Sequence, residues 1–461
     1  MTAALSRIAV HLLPSWVLVL IATQACSPSW PQVAIFSVAS ILATVWQFLG
    51  LHRLLEADAT ATDKAQPIRV SSLLGWLFLV AILMVAYAYA TGVRHDYRAY
   101  IKQWQIVLAG LDPWLNTNNA YGPLHNLWAW PARIHPLLPK SIFSLLLVVV
   151  GSVSAFAPLG VRDGTSATQR VGLFAGLILA PFCLITVGLY GNNDVLPAAA
   201  MTLALVGVVA SGRRVSRAFS GVILAIGALF KFYPLIILPV IAMRRRRMDI
   251  AVAAGFLGMA SLLLLLSYGV WGGSFFIPLF FAGSRPSKHL SIFNFARSVI
   301  GLDLDWLSIW LMGVTFVVVV AFLLIRSVDP LLGAILSFAA VLSVYKVGHQ
   351  QFFLFFFLIA PFAIRYFLSA SDLMTSRLTG ALFAWLGFLN WYQLEYALTC
   401  GMWEGPAKPL RHFGALAYGL FSALLVVALL ARLSSGDLRL PGSSGAVPAS
   451  GGPVDRGAPE S

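Results

Sequence analysis

The sequence predicts an all-α, polytopic membrane helical bundle of about 12 to 14 transmembrane segments, and three observations carry that expectation. Of 461 residues, 59% are hydrophobic and only 10% are charged. Soluble domains carry about 25% charged residues, so an ordinary cytosolic enzyme is excluded. The mean hydropathy is +0.85. The third observation is the repeated occurrence of apolar runs of roughly 17 to 25 residues, each long enough to cross a hydrocarbon core of about 30 Å as a helix.

Such runs lie near 8–26, 31–50, 72–91, 141–160, 171–190 and 195–211, then near 249–269, 304–326, 331–347, 349–368, 378–398 and 412–432. The stretch 218–243 is apolar but interrupted by Lys231 and Pro234. Arg213, Arg214 and Arg217 precede it and Arg244 to Arg247 follow it, so both its ends face one side and a re-entrant hairpin of two half-length helices is expected. The first run lacks a small-x-small cleavage pattern, which favours a retained helix over a signal peptide.

Counting the hairpin as two segments puts both termini in the cytoplasm of a multi-pass cell (inner) membrane protein. The inner connections then hold 19 Lys and Arg, the outer ones 11, and Lys231 lies within the membrane. The net charge of +14 sits mostly at the ends of apolar segments, which argues for membrane lipids and against nucleic acid as partner. Cys26, Cys183 and Cys400 are too few and too far apart in sequence for a disulfide framework or a zinc site. Residues 1–432 are read as the membrane-embedded domain and 433–461, rich in Gly, Pro and Ser, as a disordered cytoplasmic tail.

Under this sidedness the outer face carries the long insertion 92–140 and the shorter segments 270–303, 346–350 and 399–411. In the insertion, Tyr97, Tyr100, Ile101, Trp104, Val107 and Leu108 share one face of an amphipathic interfacial helix. Asp96 opens it as the expected N-cap. It is also a carboxylate at the membrane boundary, where it could act as a general base on an attacking hydroxyl. The helix start favours an anionic side chain, so the two roles are compatible.

Three later stretches carry polar chemistry. Gly188 to Asp194 is a Gly/Asn turn between apolar helices. Lys231 places an ammonium at membrane depth, which demands a partner or a cavity, or holds the hairpin's broken backbone. Ser284 to Arg297 interleaves cations with rings, which suits a lipid phosphate as well as general contact with anionic lipid. Lys346 to Phe353 forms a polar knot between two helices, where His349 is either a phosphate ligand or a helix cap.

In order and topology these stretches resemble the GT-C glycosyltransferase superfamily, most closely GPI mannosyltransferase I and bacterial polyprenyl-phosphate-sugar-dependent relatives. Asp96 and Tyr97, followed by Gly110, Pro113, Trp114, Tyr121, Pro123 and Leu124, are similar to the first lumenal loop. Gly191, Asn192 and Asp194 resemble the Gly-Asn turn; Lys231, Tyr233 and Pro234 resemble the Lys-x-Tyr-Pro hairpin. Lys288, His289 and Ser291, then Gln351 and Phe352 to Pro361, resemble the later loop and Gln-aromatic helix. The family's Asp-x-Asp is reduced here, because Arg94 occupies its first position.

The resemblance implies a GT-C-like bundle that transfers one sugar, mannose or another hexose, with inversion. The donor is a polyprenyl-phosphate sugar and the acceptor an outer-face lipid or glycan. Asp96 would be the base. Lys231, Lys288, His289 and Arg297 would stabilise the leaving phosphate, and Tyr97, Tyr121, Asn192, Asp194, His349 and Gln351 would complete the substrate site. No cofactor is required on this reading, and with one carboxylate a divalent metal is disfavoured. The alternative is a transporter or flippase of a lipid-linked sugar.

Overall fold

The computed structural model describes residues 2–25, 28–57, 70–115, 119–159, 164–211, 213–244, 247–326, 328–369, 373–400 and 408–434. The expected disordered tail lies outside the described residues from 435 onward, and its first two residues, 433 and 434, end a helix instead. A bilayer offers the backbone no water, so each crossing must satisfy its own amides, which a helix does. Every apolar run read from the sequence carries one.

The helices α1 (Thr2–Gln24) and α2 (Trp30–Ala57) pack as a pair that also contacts α18, introduced below. The helix α3 (Val70–Ala90) leads to α4 (His95–Leu108) and the short α5 (Ala129–Ile134) in the long loop, and α6 (Leu138–Phe156) returns. The next span is bent by 45°. It comprises α7 (Ala167–Leu173) with a π segment at Phe174–Ile178, then α8 (Pro181–Cys183) with a second π segment at Leu184–Leu189. Pro181 lacks the amide that would continue the ladder, which accounts for the break.

Beyond it come α9 (Val195–Ala210), α10 (Arg214–Phe230), α11 (Leu238–Ile241) and α12 (Ile250–Trp271). The short α13 (Ile277–Ser284) and α14 (Ile292–Phe295) precede α15 (Asp305–Arg326) and α16 (Pro330–Ser343). The chain closes with α17 (Leu354–Leu368), α18 (Leu373–Leu398) and α19 (Lys408–Ser434). Two-residue ladders pair β1 (Met243–Arg244) with β2 (Arg247–Met248) antiparallel, and β3 (Lys288–His289) with β4 (Val347–Gly348) parallel.

Among the described residues seven helices are long and apolar enough to cross a membrane, eight with the bent pair, and three apolar helices are shorter. The difference from about 12 to 14 has a physical cause. The helices α9 and α16 span 16 and 14 residues and are buried along most of their length, so protein rather than lipid sets how long they must be. The hairpin is also unequal. Seventeen residues form α10, whereas the return is a 3₁₀ turn at Tyr233–Ile236 and the four residues of α11. Its two ends do meet one side, where Arg217 pairs with Asp249 at 3.0 Å.

The centre of the bundle is α17, nearly all buried. Arg365, 0% exposed, donates to the carbonyls of Ser154, Ala155 and Ala157 and so caps the end of α6. This fixes the end of the bundle remote from the long loop, and residues from separate stretches can converge at the loop end.

The cysteines correct the sequence reading. Cys400 is disulfide-bonded and Cys183 is a free buried thiol. Distance along the chain is not distance in space: Cys400 Sγ lies 3.4 Å from the carbonyl oxygen of Ala25, at the far end of α1. If the loop end faces an oxidising compartment, a non-reducing digest should recover Cys400 linked to the peptide carrying Cys26, which lies outside the described residues. A cysteine at exposed Lys102 should also react with a membrane-impermeant thiol reagent in intact cells. A free Cys400 thiol together with labelling only after lysis would reverse the orientation.

Candidate functional site

The helix α4 starts two residues earlier than expected. Arg94 is its N-cap and bonds Thr91 O through Nε, while Asp96 is half-buried in the first turn rather than capping it. Tyr97, Tyr100 and Trp104 follow at helical spacing and are buried, which confirms the amphipathic face. Gly110 takes a positive φ of 72° and ends the helix. Asp112 Oδ1 accepts from the amides of Trp114 and Leu115, a structural turn. Asn116 and Asn118 lie outside the described residues. Gly122 then donates to Phe230 O, 2.9 Å away, at the tip of the hairpin, and a Cβ there would collide with Leu229 O.

One side chain that the sequence reading missed sets the position of both acidic stretches. Lys140, 0% exposed, donates to Thr91 Oγ1, Gly92 O and Leu189 O, each at 2.8 Å. It therefore joins the end of α3, four residues before Asp96, to the end of the bent span, five residues before Asp194. Tyr97 locks the same corner. Its hydroxyl donates to Pro136 O at 2.6 Å and accepts from Lys140 N at 3.2 Å.

Asp194 and Lys231 meet at 2.6 Å, with side chains 0% and 11% exposed. The Lys231 ammonium also sits 4.6 Å from the ring centre of Tyr121 and 5.2 Å from that of Phe352, so two aromatic faces and one carboxylate surround it. Tyr121 OH donates to Tyr100 OH, which donates to Asn192 Oδ1, which accepts from Asp194 N. Burial first, then the charges of Asp194 and Asp96, hold the Tyr121 hydroxyl far above its usual value, so it remains a donor. Asp96 lies within electrostatic reach of Tyr100, Tyr121, Tyr190, Asp194, Lys231 and Tyr396.

His125, also absent from the sequence-based set, is 0% exposed beneath Tyr121, their rings 4.4 Å apart. Asn193 Nδ2 donates to its Nδ1 at 2.8 Å, and its Nε2 reaches Gln103 Oε1 at 3.2 Å. That pattern assigns a neutral ring protonated on Nε2. Burial, and secondarily Lys231, push His125 down to about 3.

The later loops close the other side. The β3–β4 ladder brings His289 over His349, ring centres 4.8 Å apart, and His289 lies 6.0 Å from Tyr396. Gly348 permits this, because a Cβ would strike Leu290 O. Lys288 is exposed, and Gln351 is buried in the turn before α17, next to Phe352. Half-buried Arg285, not singled out from the sequence, interacts electrostatically with Tyr121, Lys231, Tyr345 and His349. Arg297 stands apart from this group: it pairs with Asp305 at 3.3 Å and its side chain is 44% exposed. Asp305, eight residues on, takes its charge locally.

Asp96, Tyr121, Asn192, Asp194, Lys231, His289 and His349 thus gather from five chain segments at one end of the bundle. Among the described residues no group of three or more His, Cys, Asp or Glu could hold a metal ion. No protein-family model matches the chain, and no curated protein matches it.

The His125 environment predicts an acid limit. Above pH 6.5 the ring is neutral folded or unfolded. As pH falls from 6.5 towards 3, the unfolded chain binds a proton that the folded site refuses, so stability declines, by about 3 kcal/mol at pH 4. Thermal unfolding in detergent between pH 7 and pH 4 should show this decline, and His125→Gln should flatten it. An unchanged slope in the variant would assign the decline to other groups.

Proposed function

We propose that the chain is an integral membrane glycosyltransferase. It would move a hexose, mannose in the nearest reading, from a polyprenyl-phosphate sugar to a lipid or glycan hydroxyl at the loop end, taken as the outer face, with inversion. The observation that carries this reading is the placement of a half-buried carboxylate, Asp96, within reach of a cation-rich, aromatic-walled group built from distant segments. Asp96 takes the proton of the acceptor hydroxyl as its oxygen attacks the anomeric carbon. The bond from that carbon to the phosphate oxygen breaks, and the electron pair leaves on the phosphate.

Developing charge on the phosphate needs fixed cations in a water-poor site. Lys231, held by Asp194, supplies field, and half-buried Arg285, which acts electrostatically on Tyr121, Lys231 and His349, is the leaving-group cation in this scheme. No cofactor is needed in this scheme. The flippase reading finds less support, since α17 fills the middle of the bundle with packed Phe and Leu side chains.

Purified protein in detergent should transfer sugar from a short-chain polyprenyl-phosphate hexose. Transfer from the nucleotide sugar alone would overturn the assignment. Asp96→Asn should lower turnover by about 100- to 10,000-fold. Asp112→Asn, which touches only a turn, should lose far less, and full activity in Asp96→Asn would remove the base.

Arg285 and Arg297 give a second contrast. A cation bonded to a phosphate is worth about 1.5 to 3 kcal/mol, so Arg285→Gln should weaken donor use by about 10- to 150-fold. Arg297→Gln should change it less than threefold, because its partner is Asp305. The reverse order would restore Arg297 to the site.

A further inference from the structure

The pair α1–α2 carries a feature remote from the loop end. Between it and the π segment of the bent span lies a cavity of about 340 Å³ whose lining includes His11, Gln47, Gly50 and Arg53. Gln47 is 1% exposed. Its Nε2 donates to Gly176 O at 2.8 Å, a carbonyl within the π segment, and this fixes the amide so that Oε1 is the remaining acceptor. Among the described residues neither Gln47 Oε1 nor His11 Nδ1, both buried atoms, has a hydrogen-bond partner. Buried polar atoms are rarely left so without a ligand or water. Gly50 makes room for the His11 ring, since a Cβ there would overlap it.

A second space of about 740 Å³ begins one turn along the same pair and is lined by Leu13, Val17, Ala39, Leu42 and Trp46. The two spaces run in line. From Arg53 to Ala39 is fourteen residues of α2, about 21 Å at 1.5 Å per residue. In order along this line come an exposed guanidinium, two buried polar atoms without partners among the described residues, and a groove lined by apolar side chains.

We propose that this crevice binds a monoacyl phospholipid of the leaflet opposite the loop end. Its phosphate meets Arg53, its free glycerol hydroxyl donates to Gln47 Oε1, and its single chain fills the groove. Charge complementarity selects the anion. The unfilled Gln47 acceptor selects a hydroxyl placed between phosphate and chain, which a simple alkyl or prenyl phosphate does not have. Anchoring a lipid here ties α1 and α2 to the bent span whose far end carries Asp194.

The test is native mass spectrometry of the full chain in detergent, titrated with 1-palmitoyl lysophosphatidic acid or hexadecyl phosphate. One equivalent of the lysolipid should bind, at least tenfold more tightly than hexadecyl phosphate. Arg53→Gln, at an exposed position that leaves the core intact, should weaken lysolipid binding by about tenfold or more. Gln47→Leu should abolish the preference between the two lipids, and its unfolding temperature reports whether the loss of the Gly176 bond has disturbed the fold. Equal binding of both lipids by the unmodified chain, or undiminished binding by Arg53→Gln, would overturn the proposal.

Discussion

Lys140 has no carboxylate partner among the described residues; its ammonium is satisfied by two carbonyls and a threonine hydroxyl at helix ends. Helix C-termini carry unfulfilled carbonyls and a partial negative charge, so two such ends brought together would repel without a cation between them. The first-turn position of Asp96 and the turn that holds Asp194 both descend from this junction. The cost of burying one charge is thereby converted into the registry of two loops that the chain places about a hundred residues apart.

The Asp194–Lys231 pair depends on that registry in turn. Removing one member of a buried ion pair leaves an uncompensated charge, at about 3 to 5 kcal/mol, whereas the intact pair adds little net stability. Such a pair is better understood as fixing where the hairpin tip stops. Tyr121 and Phe352 close on the ammonium from two loops, and Gly122 donates to the backbone just before it. The break at Lys231 is therefore where three segments are tied, and the short return through α11 follows from having no further partner to span.

Much of the architecture is legible in the sequence because a bilayer imposes one rule everywhere: apolar runs of crossing length become helices. What the rule cannot give is which helices face lipid, and α9 and α16 look like spans while being packed within the bundle. Lys231 could be singled out because a charge at membrane depth needs an explanation, and Asp194, read only as part of a Gly/Asn turn, supplies it. Lys140 sits at the start of an apolar run where cations are common, so nothing local distinguishes it. His125 follows a Pro-Leu dipeptide like any loop histidine, and its meaning comes from Asn193, 68 residues away. The partner of Arg297 was not legible because basic residues among aromatics describe a lipid phosphate and a local ion pair equally well, and only the fold reveals Asp305.

The two glycines at backbone crossings have a consequence for tracing descent. Reactive side chains can be exchanged while a fold persists, but no side chain of any kind fits where Gly122 meets Leu229 or where Gly348 meets Leu290. A distant cousin built on this plan would have to keep glycine at both crossings even after its activity had changed or vanished. A lineage of this kind is better tracked by its points of closest backbone approach than by its reactive groups.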